Sequence, residues 1–253
     1  MSILSFAKRY AVALAGTAYA LSLGLATRRH RGLVHTIAKH FGYDDHPPRT
    51  LPEVSIDELT SYATPVVLAE AEPVDGNVTL YELLCLSRLA RERKPRAIFE
   101  IGTFDGRTTL NLAHNSPDDT RVYTLDLPPS VKTQFELSVD DRKYVDKPAS
   151  GARFLNASVG ERVQQLYGDS AAFDFTPYRA DFVFVDGSHT YEYVMSDSAK
   201  ALELLGGERG TIVWHDYGEW PGVTLALNEL RARDSRFAQM KRLKGTSLAL
   251  LAL

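Results

Sequence analysis

Residues 99–107 constrain the fold of this chain more than any other segment. They read Phe-Glu-Ile-Gly-Thr-Phe-Asp-Gly-Arg, follow an apolar run of strand type that starts at Ala97, and lead into helix-forming residues from Thr108. Gly102 and Gly106 permit a tight turn and a close approach of the backbone to a ligand. Since a strand that turns into a helix in this way presents backbone N–H groups, we predict a site for a nucleotide-like cofactor here.

A second strand-like run, residues 122–127, carries an acid near its end. Asp126 lies 26 positions after Glu100. In a strand-helix-strand unit, a carboxylate at the tip of the second strand accepts the ribose hydroxyls of an adenosine moiety. The alternative is an aspartate that only caps a loop. Phe104 stands where a dinucleotide fingerprint needs its second glycine, so the turn is a poor fit for a pyrophosphate.

Three further strand-like runs are followed by polar motifs. The runs are residues 163–167, 182–185 and 211–214, and the last two are apolar without alternation, as in parallel strands that are covered on both faces. The carboxyl ends of such strands share one edge of the sheet, where doubly wound folds bind their ligands. The motifs at this edge are Gly168-Asp169-Ser170, Asp186-Gly187-Ser188-His189-Thr190-Tyr191-Glu192 and Trp214-His215-Asp216-Tyr217.

The ordered set of four motifs resembles the class I S-adenosylmethionine-dependent methyltransferases, particularly the catechol-type and bacterial small-molecule or sugar O-methyltransferases. The likeness runs from about residue 74 to residue 253. It implies an α/β fold with a doubly wound, mostly parallel, Rossmann-like sheet of seven strands. It also implies an antiparallel hairpin formed by residues 238–243 and 247–253, and methyl transfer from S-adenosylmethionine to a hydroxyl oxygen.

The resemblance also implies where the cofactor is held. Glu100, Gly102 and Gly106 would shape the methionine pocket, Asp126 would hold the ribose, and Asp169 would accept the adenine amino group. Asp169 as a plain turn residue is the alternative. The full predicted cofactor-binding set is Glu100, Gly102, Thr103, Phe104, Gly106, Thr108, Asp126, Leu127, Asp169, Ser170 and Asp186.

Methyl transfer to oxygen requires that the acceptor hydroxyl lose its proton. Asp186 and Asp216 resemble the divalent-cation site of the catechol-type enzymes, which implies Mg²⁺ or another divalent metal. That family often has a second Asp or Asn beside the strand-five acid, whereas His215 and Tyr217 are the neighbours here, so the metal site departs from the pattern. Without a metal, His189 or His215 would accept the proton. Asp186, His189 and His215 are therefore the catalytic candidates, with the choice of base left open.

Two other functions share some of these features. A nicotinamide-dependent oxidoreductase would have the same parallel sheet and ribose-binding acid, although Phe104 argues against it. A non-catalytic, membrane-associated scaffold protein would keep the fold without the reaction. The formal net charge of −3 argues against a nucleic-acid partner, and assembly into a homo-oligomer stays open.

The N-terminal region is rich in small and apolar residues. Residues 11–26 are flanked by Lys8-Arg9 and by residues 28–31, Arg-Arg-His-Arg. As a helix they would rise about 24 Å, short of the roughly 30 Å hydrocarbon core of a bilayer. We expect a cytoplasmic protein whose N-terminal helix packs on the domain, on a partner subunit or, through residues 1–31, on a membrane surface. The same region could be a cleaved signal peptide, but the sequence has no persuasive cleavage site before the basic cluster.

Residues 44–52 contain three prolines and form a predicted linker, which divides the chain into a helical extension (1–52) and a methyltransferase domain (53–253). Thr79 and Glu82 match a capping box at the start of a helix that ends before Pro95, and Cys85 within it is predicted to be a core residue. Residues 128–162 are too long for an ordinary connection. We predict that this insertion contains a helix and covers the cofactor or faces the substrate.

Overall fold

The computed structural model describes residues 3–41, 46–138, 140–147 and 149–253. Two compact units make up the chain, residues 1–46 and residues 47–253. The predicted linker overlaps this boundary, and its Asp44 and Asp45 lie outside the described residues. The unit boundary therefore falls a few residues before the position predicted from the prolines.

The first unit is helical. Helix α1 spans Ile3–Ala20, a 3-10 helix spans Leu23–Ala26, and helix α2 spans Arg28–His40. The side chain of Thr27 donates to the carbonyl of Gly24 at 3.0 Å at the junction before α2. None of the helices in the described residues is long and apolar enough to cross a membrane.

The second unit is a three-layer α/β domain with one sheet of eight strands, in the spatial order β1-β7-β8-β6-β5-β2-β3-β4. The strands are β1 Glu53–Val54, β2 Ala97–Ile101, β3 Arg121–Asp126, β4 Val163–Tyr167, β5 Phe182–Val185, β6 Thr211–Trp214, β7 Lys241–Leu243 and β8 Ala249–Ala252. The helices are α3 Ile56–Leu59, α4 Leu80–Arg93, α5 Arg107–His114, α6 Arg142–Val145, α7 Tyr191–Leu205 and α8 Pro221–Arg233.

The strand order reverses direction along the chain at the centre of the sheet, as in doubly wound folds. Strand β2 pairs in parallel with β3 and with β5, and β6 continues the parallel set. Strand β8 runs antiparallel to both β6 and β7, which confirms the predicted C-terminal hairpin. The carboxyl ends of β2 to β6 therefore meet at one edge, where this fold places its ligands.

The sheet has one strand more than the predicted seven. The additional strand, β1, pairs in parallel with β7 through Glu53 opposite Arg242 and Val54 opposite Leu243. A strand of two residues is too short to show the alternation of apolar and polar positions from which strands are predicted. Strand β1 directly follows the proline-rich segment, so the predicted linker ends at the residue before it.

Apolar side chains cover both faces of the central strands, as the uninterrupted apolar runs predicted. Alternate residues of β5 point to opposite faces, so that Val183 belongs to one core cluster and Phe184 to the other. Helices α7 and α8 cover the first face through residues such as Ala201 and Leu227. Helix α4 covers the second face with Leu86 among its buried residues.

Helix α4 begins and ends where its sequence signals predicted. The Thr79 hydroxyl accepts from the backbone N–H of Glu82, and the Glu82 carboxylate accepts from the backbone N–H of Thr79 at 2.9 Å. Lys94 closes the helix in the left-handed conformation (φ 48°), directly before Pro95. Cys85 is fully buried in the core, where burial raises the pKa of its thiol to about 11.

The insertion between β3 and β4 contains the predicted helix as the short α6, and a 3-10 turn at Gly160–Arg162 follows it. The backbone N–H of Gly151 donates to the carbonyl of Phe104 at 3.0 Å, and that of Arg153 donates to the carbonyl of Asp105 at 3.0 Å. The insertion is thereby fastened to the turn that follows β2.

Candidate active site

A cavity opens at the carboxyl edge of the sheet and contains about 640 Å³ of atom-free space, part of it open to solvent. Its walls come from the ends of β2, β3, β4 and β5 and from the insertion. Of the predicted cofactor-binding residues, those in its lining are Gly102, Phe104, Asp126, Leu127, Asp169, Ser170 and Asp186. The insertion contributes Leu137, Asp141, Tyr144, Val145 and Lys147.

The two glycines of the β2–α5 turn are required for different structural reasons. Gly102 has φ +100°, and a Cβ atom there would lie 1.9 Å from the carbonyl oxygen of Asp186. Gly106 has φ +88° at the N-cap of α5, and a Cβ there would lie 2.7 Å from the Phe154 ring. Gly102 thus lets β2 approach the end of β5, and Gly106 lets the insertion pack on the turn.

Glu100 is not part of the lining of this cavity. Its side chain is fully buried and accepts hydrogen bonds from the hydroxyls of Thr109 and Thr124, the second at 2.5 Å. Its other carboxylate oxygen has no hydrogen-bond partner among the described residues. Burial away from water raises the pKa of Glu100 to about 8.

Besides Glu100, three predicted residues of the turn lie outside the lining of this first cavity, namely Thr103, Gly106 and Thr108. The Thr103 hydroxyl is 2.7 Å from that of Thr124, and it accepts from the Gln165 side chain at 3.0 Å. Thr103 and Thr108 line a second cavity instead. The predicted set therefore divides into residues that face the first cavity and residues that support the turn from other sides.

Asp126 is bound from the insertion by two side chains that sequence reasoning did not identify. Lys147 Nζ lies 2.7 Å from Asp126 Oδ2, and the Ser150 hydroxyl donates to the same oxygen. The backbone N–H of Phe104 donates to Oδ1 at 3.4 Å. No local pattern links residues 147 and 150 to residue 126, because the insertion between them has no regular period.

Asp169 is held at the opposite wall by residues from two different elements. The backbone N–H of Gln134 donates to Asp169 Oδ2 at 2.6 Å, and the Tyr193 hydroxyl donates to Oδ1 at 2.8 Å. Burial and the neighbouring Asp169 carboxylate raise the pKa of Tyr193, so its hydroxyl keeps its proton. Tyr193 was not among the residues predicted from the sequence to bind the cofactor.

A second cavity, next to the first, contains the ionisable residues of β5 and β6. Both Asp186 and Asp216 contact His215, whose Nδ1 lies 3.1 Å from each carboxylate. His215 Nε2 lies 3.3 Å from Oε2 of Glu82. Glu82 therefore has a second role beyond the capping box, which its position in a helix start did not reveal.

His189 is held by two carboxylates and an indole ring. Its Nδ1 donates to Asp141 of the insertion, and its Nε2 lies 2.8 Å from Oδ2 of Asp216. The imidazole stacks on Trp220 with 4.1 Å between ring centroids and 10° between planes. The Ser188 hydroxyl also donates to Asp141 at 2.9 Å. Helix α7 starts only at Tyr191, so the loop before it, and not a helix face, brings His189 to the site.

The carboxylates set the charge state of both imidazoles. Burial opposes protonation of His189, but Asp141 and Asp216 outweigh it and raise the pKa of His189 to about 9. Burial likewise opposes protonation of His215, and Asp186 and Asp216 raise its pKa well above the ordinary value. In return, His215 holds the pKa of Asp216 far below the usual range in spite of the burial of that carboxyl.

The backbone is strained at two places in this site. Phe104 has φ 50° and Asp216 has φ 67°, a region that non-glycine residues seldom adopt. At Asp216 the chain is fixed by Ser247, whose hydroxyl accepts from the Asp216 N–H at 3.3 Å and whose carbonyl accepts from the Tyr217 N–H at 2.8 Å. Such strain is retained where the surrounding structure fixes a side chain for function.

The donor set at the end of β5 and β6 is suitable for a divalent cation. Ligand atoms of Asp186, His215 and Asp216 all lie within 4.8 Å of one another. The excess of buried carboxylates, now balanced by protons on the imidazoles, would be balanced equally well by a cation. The structure thus brings together the two acids predicted as metal ligands and places His215 beside them.

The sequence and the fold were compared with known proteins. Residues 99–217 match the family model described as a methyltransferase domain. No curated protein matches the sequence. The chain is similar to three solved structures, with which the alignments cover 70–78% of its length.

The first solved structure is cofactor-bound Rv0187 from MTB, with 21% identity, a TM-score of 0.52 and 84% of that chain covered. The second is the O-methyltransferase TomG from Streptomyces achromogenes in complex with SAM, with 23% identity, a TM-score of 0.51 and 94% covered. The third is the SAH-bound methyltransferase PaMTH1 from Podospora anserina, with 19% identity, a TM-score of 0.51 and 79% covered. These likenesses confirm the fold.

The family match covers the turn after β2, both cavities' strand-end acids and the motif at residues 214–217. It selects the methyltransferase interpretation over the nicotinamide-dependent oxidoreductase considered from the sequence. Residues 99–217 thus resemble a methyltransferase domain, and the strand order with its antiparallel hairpin agrees with the class I fold predicted from the sequence.

Proposed function

We propose that this protein transfers the methyl group of S-adenosylmethionine to a hydroxyl oxygen of a small molecule or sugar. The observation that carries the proposal is the wall shared by the two cavities, because Asp186 and His189 line both. A cofactor in the first cavity and an acceptor in the second would meet at this wall. Groups that remove a proton lie there, as in-line transfer to oxygen requires.

The first cavity has the donors and acceptors that an adenosine moiety needs. Asp126 would accept the ribose hydroxyls, and Asp169 with Ser170 would bind the adenine edge. The turn at Gly102 and Phe104 would face the methionine part. Glu100 would act by holding Thr109 and Thr124 in place, without touching the cofactor.

Asp186, His215 and Asp216 would hold a divalent cation. Such an ion lowers the pKa of a bound hydroxyl and balances its developing negative charge. Because one of the three ligands is an imidazole, the site would favour Mn²⁺ or a later transition metal over Mg²⁺, which prefers oxygen ligands throughout. The three-residue set replaces the all-carboxylate pair suggested by the sequence.

Of the two histidines, His189 is the better candidate for the base. Both imidazoles contact carboxylates through both ring nitrogens, but His215 is one of the proposed metal ligands, whereas His189 lies on the wall between the two cavities with its Nε2 toward Asp216. Asp141 and Asp216 together keep a proton on His189. When Asp216 serves as a metal ligand, only Asp141 supports that proton, and His189 is better able to accept one from the acceptor hydroxyl at Nε2.

A transfer assay with two variants tests this proposal. Methyl-labelled S-adenosylmethionine is incubated with panels of phenols, sugars, amines and thiols, first with EDTA and then with Mn²⁺ or Mg²⁺. We expect labelled ethers, and we expect His189→Gln to lower kcat by at least about 100-fold. Tyr62→Phe, a change of an exposed side chain in the same domain, is the control. Labelling only of nitrogen or sulfur acceptors would contradict the proposal, as would a protein that binds the cofactor and labels no acceptor.

A further inference from the structure

The first helical unit presents an unusual surface. Every described side chain from Phe6 to Tyr19 in helix α1 is exposed, and several are large and apolar. Val12 is 72% exposed and Leu14 is 62% exposed. A helix that is mostly apolar on all sides is normally covered by protein or lipid, so the exposed side chains of α1 indicate a surface that binds something.

The charge of this segment is entirely of one sign. Residues 1–43 contain six lysines and arginines and neither aspartate nor glutamate, whereas the whole chain has 29 basic and 32 acidic residues. The six basic residues are Lys8, Arg9, Arg28, Arg29, Arg31 and Lys39. The remaining 210 positions must therefore carry a net negative charge. The positive charge is concentrated on the same segment that exposes apolar side chains.

Helix α2 adds an amphipathic element to this unit. Leu33, Val34, Ile37 and Phe41 recur at spacings of one, three and four residues, which places them along one side of a helix. Leu33 is 46% exposed and Phe41, directly after the helix, is 82% exposed. Basic residues occupy both the start and the end of α2 in the sequence. Apolar side chains flanked by cationic ones are the pattern of helices that lie in a membrane interface.

We infer that residues 3–41 bind the surface of an anionic lipid bilayer, with the apolar side chains of α1 and α2 in the interface and the basic residues at the headgroups. Charge complementarity selects this occupant over a second copy of the chain. Two such units packed together would oppose six positive charges to six others, whereas anionic headgroups attract each lysine and arginine. The inference does not depend on the proposed reaction.

Vesicle flotation of the full chain tests this inference. The probes are vesicles of phosphatidylcholine alone and of phosphatidylcholine mixed with phosphatidylglycerol, at low and at high salt. We expect binding to the mixed vesicles, and at least about tenfold weaker binding to neutral vesicles and at high salt. Equal binding to both kinds of vesicle, or binding to neither, would overturn the inference.

A pair of charge-matched variants locates the surface. Lys8→Glu with Arg9→Glu and Arg31→Glu reverses three exposed charges in the first unit, and Lys94→Glu with Lys132→Glu and Lys241→Glu reverses three exposed charges in the second unit. We expect only the first triple variant to lose binding, by at least about tenfold. If both triple variants lost vesicle binding equally, the effect would come from the overall charge of the protein, which would contradict the inference.

The apolar contribution needs its own variant and an independent check on folding. Val12→Ser with Leu14→Ser changes two exposed side chains of α1 and should weaken binding to the mixed vesicles several-fold. Circular dichroism and the melting temperature verify that each variant is folded. Analytical ultracentrifugation without lipid completes the test, since a dimer that dissociates in the Val12→Ser, Leu14→Ser variant would show that a second copy covers this surface instead.

Discussion

Lys147 Nζ lies 2.7 Å from Oδ2 of Asp126, and both side chains are almost buried, with exposures of 11% and 7%. Asp126 is the carboxylate to which we assign the ribose hydroxyls. The insertion therefore supplies an ammonium group that competes with the ribose for the same oxygen atoms. A buried ion pair is costly to break, so the cofactor must rearrange this part of the insertion as it binds.

Replacing Lys147 should make cofactor binding tighter. In Lys147→Met the ribose no longer competes with the ammonium, and we expect the Kd for S-adenosylhomocysteine to fall by about three- to tenfold. Calorimetry measures the change, and Lys132→Met, an exposed lysine in the same insertion, is the control. Weaker binding by Lys147→Met would instead mean that Lys147 contacts the cofactor.

The crowding around Gly102 should make this position intolerant of any side chain. Gly102→Ala places a Cβ 1.9 Å from a carbonyl oxygen, and we expect it to destabilise the domain by about 3 kcal/mol or more. Gly207→Ala is the matched control, because Gly207 has a similar φ of +79° and no atom within 4 Å of the added Cβ. The control should cost only about 1 kcal/mol, from backbone strain alone. Urea unfolding measures the free energy of unfolding of both variants. If Gly102→Ala and Gly207→Ala lost the same amount, the role of crowding at Gly102 would be refuted.

Glu100 should make the stability of the domain depend on pH. Its pKa rises from the ordinary 4.5 to about 8 on folding, because burial disfavours the charged form. The folded state therefore keeps a proton that the unfolded state releases, and the stabilisation present below pH 4.5 declines as the pH rises to about 8.

Glu100→Gln removes this titration and retains a side-chain oxygen for Thr109 and Thr124. We expect the variant to be more stable than the parent protein at pH 8, by a few kcal/mol at most, and to lose this advantage as the pH approaches 4.5. Urea unfolding across the pH range measures the difference. Glu203→Gln, in an exposed position of α7, should show no such trend. If the stability of Glu100→Gln and that of the parent protein changed with pH in the same way, the titration of a buried Glu100 would not explain the pH dependence.

The mixed ligand set should determine metal preference. We expect the parent protein to bind Mn²⁺ at least about tenfold more tightly than Mg²⁺, and His215→Asp, which makes every ligand an oxygen, to reduce that ratio. Electron paramagnetic resonance of Mn²⁺, with Mg²⁺ as competitor, reads binding independently of turnover. His114→Asp, at a histidine outside the cluster, is the control. An unchanged ratio in His215→Asp would exclude His215 from the ligand set.

The central strands and helix α4 could be predicted from the sequence because their signals are local. Residues 97–101, 182–185 and 211–214 are strands within the limits expected from their apolar runs, and the capping box at Thr79 marks a helix start. The meeting of Asp186, His215 and Asp216 followed from topology, since parallel strands end at one edge. These parts of the site require no knowledge of long-range packing.

The contacts made by the insertion could not be predicted in this way. Lys147, Asp141 and Gln134 approach the strand-end acids from a segment without periodicity, so nothing in their spacing indicates a partner. The contact between Glu82 and His215 was missed for a different reason, because the capping box already explained why Glu82 stands at the start of α4. The methionine-pocket assignment of Glu100 stays a prediction about function, and the buried side chain is not part of the cavity lining.

The most direct test of the central claim is calorimetry of S-adenosylhomocysteine binding to the parent protein, Asp126→Ala and the exposed-site control Asp118→Asn. Since Asp126→Ala leaves Lys147 buried without its partner, the double variant Asp126→Ala, Lys147→Met is measured beside it. The account predicts that the parent and the control bind alike, and that both Asp126 variants bind at least about tenfold more weakly. Equal affinity of all four proteins would contradict the assignment of Asp126 to the ribose and with it the placement of the cofactor.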